Sequence, residues 1–379
     1  MKRMIDKARI VEEFMELVAI PSSTRAERQI ADALKNKLTE IGLQVEEDDA
    51  GEKIGGNAGN LIARLPGTLA GAPSIMLSAH MDSVEPCTGI RPTRQDGVIT
   101  SAGDTILGSD CKSGIVPILE ALRAIKSENA PHGEILVVFT VAEEGGLNGA
   151  KNIDPAKIRA DFGYALDGSG VPGVITTMAP GQNHLQLIVH GKTAHAGLEP
   201  EAGLNAIVLA GKALSEMPQG RIDFETTCNV GLIKGGVATN IVPDRAEITV
   251  EARSRNQDKL SRLTEEIETI FTAVVQKNGG KAESKVTKKY DPYVLAEESL
   301  VIRSAVQAAQ AAGLSPVLEG SGGGSDANFF NRYGVPNAVL GTGMSKVHTK
   351  EEFIREEHLF QTTEWVLQLI KLAAHLKTT

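Results

Sequence analysis

His80, Asp82, Asp110, Glu143, Glu144, Asp167 and His348 are the side chains of this 379-residue chain whose types and places could do chemistry. Most follow apolar runs that read as β-strands, and in open α/β sheets ligands collect beyond the carboxyl ends of strands. His80-Met81-Asp82 closes the run SIMLSAHMD at 74–82. Residues two apart on a strand face the same way, so Asp82 could orient the His80 imidazole; the plainer alternative is a His–Asp pair that caps the strand. Glu143-Glu144 follows the apolar run EILVVFTVAEE at 134–144. Two adjacent carboxylates there repel each other and lose solvation. A cation beside one of them relieves that cost and leaves the other a free base, unless the pair is simply a solvated loop entry. Asp110, in GSDCKSG, could equally cap the helix that follows it. Asp167, in ALDG, could be a turn residue, and His348 a surface residue.

Taken together the set says more. Asp110, Glu144 and Asp167 bring three negative charges, and His80 and His348 bring two neutral imidazoles. Two divalent cations bring four positive charges, and a bridging hydroxide balances the cluster. This mixture of carboxylate and imidazole suits Zn, with Mn or Co as alternatives.

The elements that must position these residues read as follows. Helices are expected at 26–41 (stopped by Gly42), 113–129, 299–312 and 356–377, with a short one starting at Ser325. Strands are expected at 60–65, 74–82, 134–144, 162–168, 315–319 and 337–341. Val11, Phe14, Met15 and Val18 follow helical spacing. Strands alternating with helices imply an α/β fold with a parallel or mixed sheet. The texture changes near Ala179-Pro180-Gly181. From there the order is strand 184–191, helix 205–217, strands 226–235 and 245–254, helix 256–278 and strand 281–290, the βαββαβ split pattern of ferredoxin-like units. The expected organisation is one α/β domain from residues 1–180 and 291–379, with a small domain inserted at 181–290. Neither an internal repeat nor a low-complexity segment interrupts it.

Composition narrows the function classes. The net charge is −9 with no long basic run, which argues against a nucleic-acid partner. No stretch is apolar and long enough to span a membrane. Lys2 and Arg3 precede a segment broken by Glu12, Glu13 and Glu16, which does not read as a signal peptide. Cys87, Cys111 and Cys228 are few, odd in number and widely spaced. This argues against a disulfide framework and for a reducing, cytoplasmic compartment.

Six motifs in order, HMD at 80–82, GSDCKSG at 108–114, AEEGG at 142–146, ALDG at 165–168, GKTAHAG at 191–197 and GGGSDA at 322–327, carry a resemblance across essentially the whole chain. The sequence resembles the peptidase T (tripeptide aminopeptidase) family, within the superfamily of dizinc exopeptidases that includes carboxypeptidase G and aminoacylase. The resemblance implies a mixed-sheet zinc-exopeptidase-like catalytic domain whose inserted ferredoxin-like domain serves as lid and dimerisation surface. It implies that His80 and Asp167 bind one zinc, Glu144 and His348 the other, and Asp110 both, with a cis peptide after Asp110. Asp82 would orient His80, and Glu143 would be the general base toward the attacking water. His195 would donate to the oxyanion from the partner subunit of a homodimer, which requires domain closure; read alone, it is a turn histidine. Asn240 and Arg253 match substrate-contacting positions, with Arg253 holding a peptide carboxylate or else closing a strand-end salt bridge. Gly323 and Gly324 would bring backbone donors near the substrate; no Walker or dinucleotide fingerprint is present to make that loop a nucleotide site.

Asp167 stands where many carboxypeptidase and deacylase members carry Glu, and aminopeptidases of this group carry Asp. The implied activity is therefore release of the N-terminal residue from short peptides. The alternatives are a dizinc carboxypeptidase or N-acyl-amino-acid amidohydrolase of the same superfamily, and a catalytically silent metal-stabilised binding protein, against which the intact Glu143 argues. Two departures bear on the substrate pocket. The segment from Met81 to Asp110 is short for the tripeptidase, and Cys111 stands where an acidic residue often follows the bridging Asp.

Overall fold

The structure, a computed structural model, describes residues 5–376. The chain divides into two compact units. One is built from the segment ending at Met178, from Leu295–Ser321, and from the segment resuming at Ser325; the other spans Ala179–Val294 and takes in Gly322–Gly324.

The first unit is organised by a mixed sheet. Its strands lie in the order Gln44–Glu47, Leu61–Leu65, Ile135–Thr140, Ile75–His80, Phe162–Gly168, Asn337–Gly341 and Val174–Ala179, with Val317–Gly320 paired to the last. The strand Ile75–His80 runs parallel to both Ile135–Thr140 and Phe162–Gly168, and Asn337–Gly341 runs parallel to Phe162–Gly168. These central strands are IMLSAH, ILVVFT, FGYALDG and NAVLG; the first two are buried at every position. Near-continuous burial is the mark of parallel strands covered on both faces.

Helix Ser109–Glu128 packs on the strands Ile75–His80 and Phe162–Gly168 and on helix Glu356–Ala373, which in turn packs on helix Leu300–Ala311. Ile118, Leu122, Trp365 and Ile370 are almost wholly excluded from solvent in that core. Each such aliphatic side chain contributes about 1.5–3 kcal/mol of burial. The long helix lies close against the sheet. A Cβ on Gly114 would lie 2.0 Å from the Leu166 carbonyl oxygen, so no side chain fits there. That contact draws the Asp110 end of the helix toward the strand bearing Asp167. A small sheet of Phe353–Arg355, Val98–Ser101 and Pro92–Gln95 completes the unit. Its hairpin, like the edge strand Gln44–Glu47, lies in polar sequence and was not expected.

The second unit has its own apolar core, in which Leu185, Leu187, Ile248, Val250, Ile267 and Phe271 are buried. Its antiparallel sheet runs Gly220–Arg221, Thr226–Gly235, Arg245–Ser254, Gly181–His190, Lys281–Tyr290. Helices Ala206–Glu216 and Gln257–Lys277 pack on it. Alternate burial along Gly181–His190 and Arg245–Ser254 shows a sheet with one face covered by those helices.

Among the described residues no helix is long and apolar enough to cross a membrane.

Several boundaries differ from expectation at the ends that matter. The strands expected over 74–82 and 134–144 stop at His80 and Thr140, so Asp82, Glu143 and Glu144 lie in the loops that follow. Ala142 has a φ of 49°, a left-handed conformation that ends the extended run. The helix expected from 113 is continuous with Ser109–Asp110 only nominally. Asp110 and Cys111 are non-helical, and the peptide bond between them is cis.

Candidate metal centre

The parallel strands bring their carboxyl ends to one edge of the sheet, and five donor side chains meet there. His80 Nε2 lies 3.0 Å from Asp110 Oδ1 and 3.5 Å from Asp167 Oδ1. His348 Nε2 lies 3.2 Å from Asp110 Oδ2 and 2.9 Å from Glu144 Oε1. Asp110 therefore stands in the middle, one carboxylate oxygen toward each imidazole. The donor atoms of His80, Asp110 and Asp167, and those of Asp110, Glu144 and His348, form two groups whose members lie within 4.8 Å of one another.

Hydrogen bonding fixes the His80 ring. Its Nδ1–H donates to the Asp82 carbonyl oxygen at 3.0 Å, which turns Nε2 toward the two carboxylates. Such an edge demands positive charge. Hydrogen bonds to Asp110 and Glu144 raise His348 to about 10. Burial pulls His80 toward the neutral form, but the carboxylates of Asp167 and Asp110 outweigh it and the ring is raised well above its usual range. Asp110, despite burial, is held far below the carboxylate range by the two imidazoles. Burial dominates at Asp167 and lifts it to about 6, although His80 opposes. Divalent cations between these atoms meet the same demand, with each imidazole neutral and each carboxylate ionised. On donor chemistry the residues fit a pair of such ions.

Glu143 lies beside this cluster. Loss of solvation raises its carboxyl well above the usual range; His80 opposes, and Asp167, Asp326 and Glu144 add to the rise. Asp82 organises the loop. Its Oδ1 accepts the Glu143 N–H at 3.0 Å, and its Oδ2 accepts the Glu144 N–H at 3.3 Å and the Thr24 hydroxyl at 2.7 Å. Asp82 Oδ1 is 3.5 Å from His80 Nδ1, farther than its own carbonyl. The Asp82 side chain thus holds the Glu143-Glu144 backbone more closely than it holds the imidazole.

Several neighbours carried no clear sequence signal. Buried Glu27 accepts the Ala142 N–H at 3.0 Å and so supports the left-handed turn before Glu143. Asp326, inside the GGGSDA motif, is buried with Oδ2 on the Thr140 hydroxyl at 2.5 Å; its Oδ1 is unpaired and burial raises the carboxyl to about 7. Lys112 is fully buried and donates to Ser22 Oγ at 2.8 Å and Ser83 Oγ at 2.6 Å. The Cys111 thiol lies among the donors, but it donates to the Leu166 carbonyl at 2.9 Å, and burial raises it well above the thiol range. Cys111 is a protonated packing residue.

The remaining expected residues belong to the second unit. His195 is exposed, and its Nδ1 accepts the N–H groups of Gly197 and Leu198, both at 3.2 Å. That places the ring proton on Nε2, which faces outward as a donor. Exposed Asn240 accepts the Ala196 N–H through its backbone carbonyl at 3.0 Å. Arg253 makes a two-pronged ion pair with Glu251 at 3.1 Å, the strand-end salt bridge foreseen as its other reading. Gly324 packs on the Tyr290 ring, where a Cβ would come within 2.4 Å of a ring carbon, and Gly323 lies beside it in the same loop.

A cluster of imidazoles and carboxylates that could hold metal ions on this mixed α/β sheet points to a class, and comparison with known proteins gives the same one. The model of peptidase family M20/M25/M40 matches residues 76–372, and the chain belongs to that family. It is 42% identical to the Bacillus subtilis (strain 168) protein YqjE over 371 residues, covering 98% of this chain and 100% of that one. Among solved structures it is similar to the aminopeptidase PepT from Bacillus cereus ATCC 10987, with a TM-score of 0.92 and 44% identity over 98% of this chain and 100% of that one. It is likewise similar to a tripeptidase from Staphylococcus aureus subsp. aureus Mu50, with a TM-score of 0.95 and 39% identity over 99% and 100%.

Proposed function

We propose that this protein is a cytoplasmic two-metal aminopeptidase that removes the N-terminal residue from short peptides, tripeptides among them. The observation that carries the proposal is Asp110 set between two imidazoles, each with a further carboxylate, and Glu143 alongside. The full-length likeness to an aminopeptidase and a tripeptidase supports the substrate class.

His80, Asp167 and one oxygen of Asp110 would hold one ion, and Glu144, His348 and the other oxygen of Asp110 the second, zinc by preference and manganese or cobalt as substitutes. Bound there, such a pair polarises the scissile carbonyl and acidifies a water. Glu143 takes the proton of the attacking water and delivers it to the leaving amine. Its dry surroundings favour that role, because a carboxylate with a raised affinity for protons is the better base. Asp82 holds Glu143 and Glu144 in place through their backbone N–H groups.

The unit spanning Ala179–Val294 is read as a ferredoxin-like lid and dimerisation domain. Exposed Ile207, Val208, Leu232 and Ile233 support the second role. His195 of the partner subunit would donate Nε2–H to the oxyanion, and Asn240, Arg253, Gly323 and Gly324 would bind the peptide. Arg253 would exchange Glu251 for a peptide carboxylate.

The test is cleavage of a free-amine tripeptide, abolished by a chelator and restored by zinc. Preference for the N-acetylated tripeptide would overturn the aminopeptidase reading in favour of a deacylase. Absence of any turnover in the metal-loaded dimer would favour a binding protein.

A further inference from the structure

Glu352 is almost wholly buried, four residues beyond His348, and the described bonds of its carboxylate all go to the segment that carries Asp110. Oε2 accepts the N–H groups of Leu107 and Gly108 at 2.8 and 2.9 Å. Oε1 accepts the Ser109 hydroxyl at 2.6 Å and the Asp110 N–H at 3.2 Å. Four donors converge on one carboxylate. A buried anion held this way is stable only while all four stay in place, because each lost bond leaves charge uncompensated.

The loop between His348 and Glu352 is tied to itself. The Glu352 N–H donates to the Thr349 carbonyl at 3.2 Å, the Thr349 hydroxyl donates to the Lys346 carbonyl at 2.7 Å, and Ser345 and Phe353 exchange two backbone bonds of 3.1 Å. His348 itself is left-handed, with a φ of 63°, a conformation a non-glycine residue keeps only when its surroundings impose it. The loop carrying His348 and the segment carrying Asp110 therefore meet twice: once at Asp110 and His348, and once at Glu352.

We propose that Glu352 is a positioning residue that sets the distance between Asp110 and His348, and so the affinity for the ion those two would share with Glu144. The inference rests on the two-metal reading above. His80 and Asp167 are placed by sheet strands, so the ion they would hold feels the loss of Glu352 only through Asp110, whereas the other would lose the setting of Asp110 and His348 together, and the two ions respond to different degrees. Glu352→Gln keeps the shape but turns an amide N–H₂ toward backbone N–H donors.

The experiment is stepwise zinc titration of the metal-free protein, followed by calorimetry or a competing chelator. The unsubstituted protein takes up two equivalents. In E352Q the weaker-bound equivalent loses about 10–100-fold in affinity, the range seen when partners of metal ligands are removed, and the other is little changed. Raised zinc restores kcat, which the loss of a mere helix cap would not permit. S109A, which deletes one of the four bonds, moves the same equivalent in the same direction by a smaller factor and covers the case in which E352Q does not fold. Wild-type affinity for both equivalents in folded E352Q, or in S109A where E352Q does not fold, overturns the role of Glu352 and leaves the two-metal reading intact. Fewer than two equivalents in the unsubstituted protein overturns both.

Discussion

The two halves of the candidate metal centre are built differently. His80 ends a strand, its side chain is 1% exposed, and its Nδ1–H is bound to backbone; Asp167 ends the neighbouring strand. His348 and Glu144 lie on loops, and the His348 side chain is 49% exposed. The half on the sheet is positioned by the same packing that makes the fold. The half on loops is positioned by hydrogen bonds dedicated to it: Asp82 and Glu27 behind the Glu144 loop, and Glu352 tying the His348 loop to the Asp110 segment. The first half is set by the fold itself, and the second by bonds that serve it alone.

Four substitutions break or sharpen that contrast. Glu143→Ala gives the largest effect, a fall in kcat of about 10²–10⁴ with two zinc equivalents still bound; loss of metal together with activity would assign Glu143 to the ligand set instead. His80→Ala strips buried Asp167 of its imidazole partner and buried Asp110 of one of its two, and costs about 3–5 kcal/mol of stability in the metal-free protein, read by denaturant unfolding. Thr140→Val leaves both oxygens of buried Asp326 without a described partner and costs about 1–3 kcal/mol in the same measurement. His348→Ala costs the metal-free protein less than about 1 kcal/mol, as expected of a half-exposed ion pair, yet removes one zinc equivalent. Equal stability losses for His80→Ala and His348→Ala would erase the distinction between the halves.

The same contrast governs what could be read from sequence. Apolar runs ending in His80, Asp167 and the Glu143-Glu144 pair mark a strand edge, because burial on both faces leaves a long hydrophobic signature and chemistry must begin where it stops. The alternation of strands and helices over 181–290 was equally legible from its 2-fold and 3.6-fold periods. Glu352 left no such trace. Its partners are backbone N–H groups and one hydroxyl more than 240 positions away, and the second Glu of KEEFIREE has the look of any surface acid. Asp326 and Lys112 were hidden for the same reason, since burial of a lone charged side chain is decided by tertiary packing. The hairpin Pro92–Gln95 and Val98–Ser101 was missed because its residues are mostly polar.

The strand Asn337–Gly341 lies between Phe162–Gly168 and Val174–Ala179, two strands that precede it by more than 150 residues. On the ribosome those two strands are finished long before their shared neighbour emerges, and each must wait with an unsatisfied hydrogen-bonding edge. Pairing over such a sequence distance slows folding. A nascent chain halted before residue 337 would therefore be sticky and in need of a chaperone, and it would lack His348 as well.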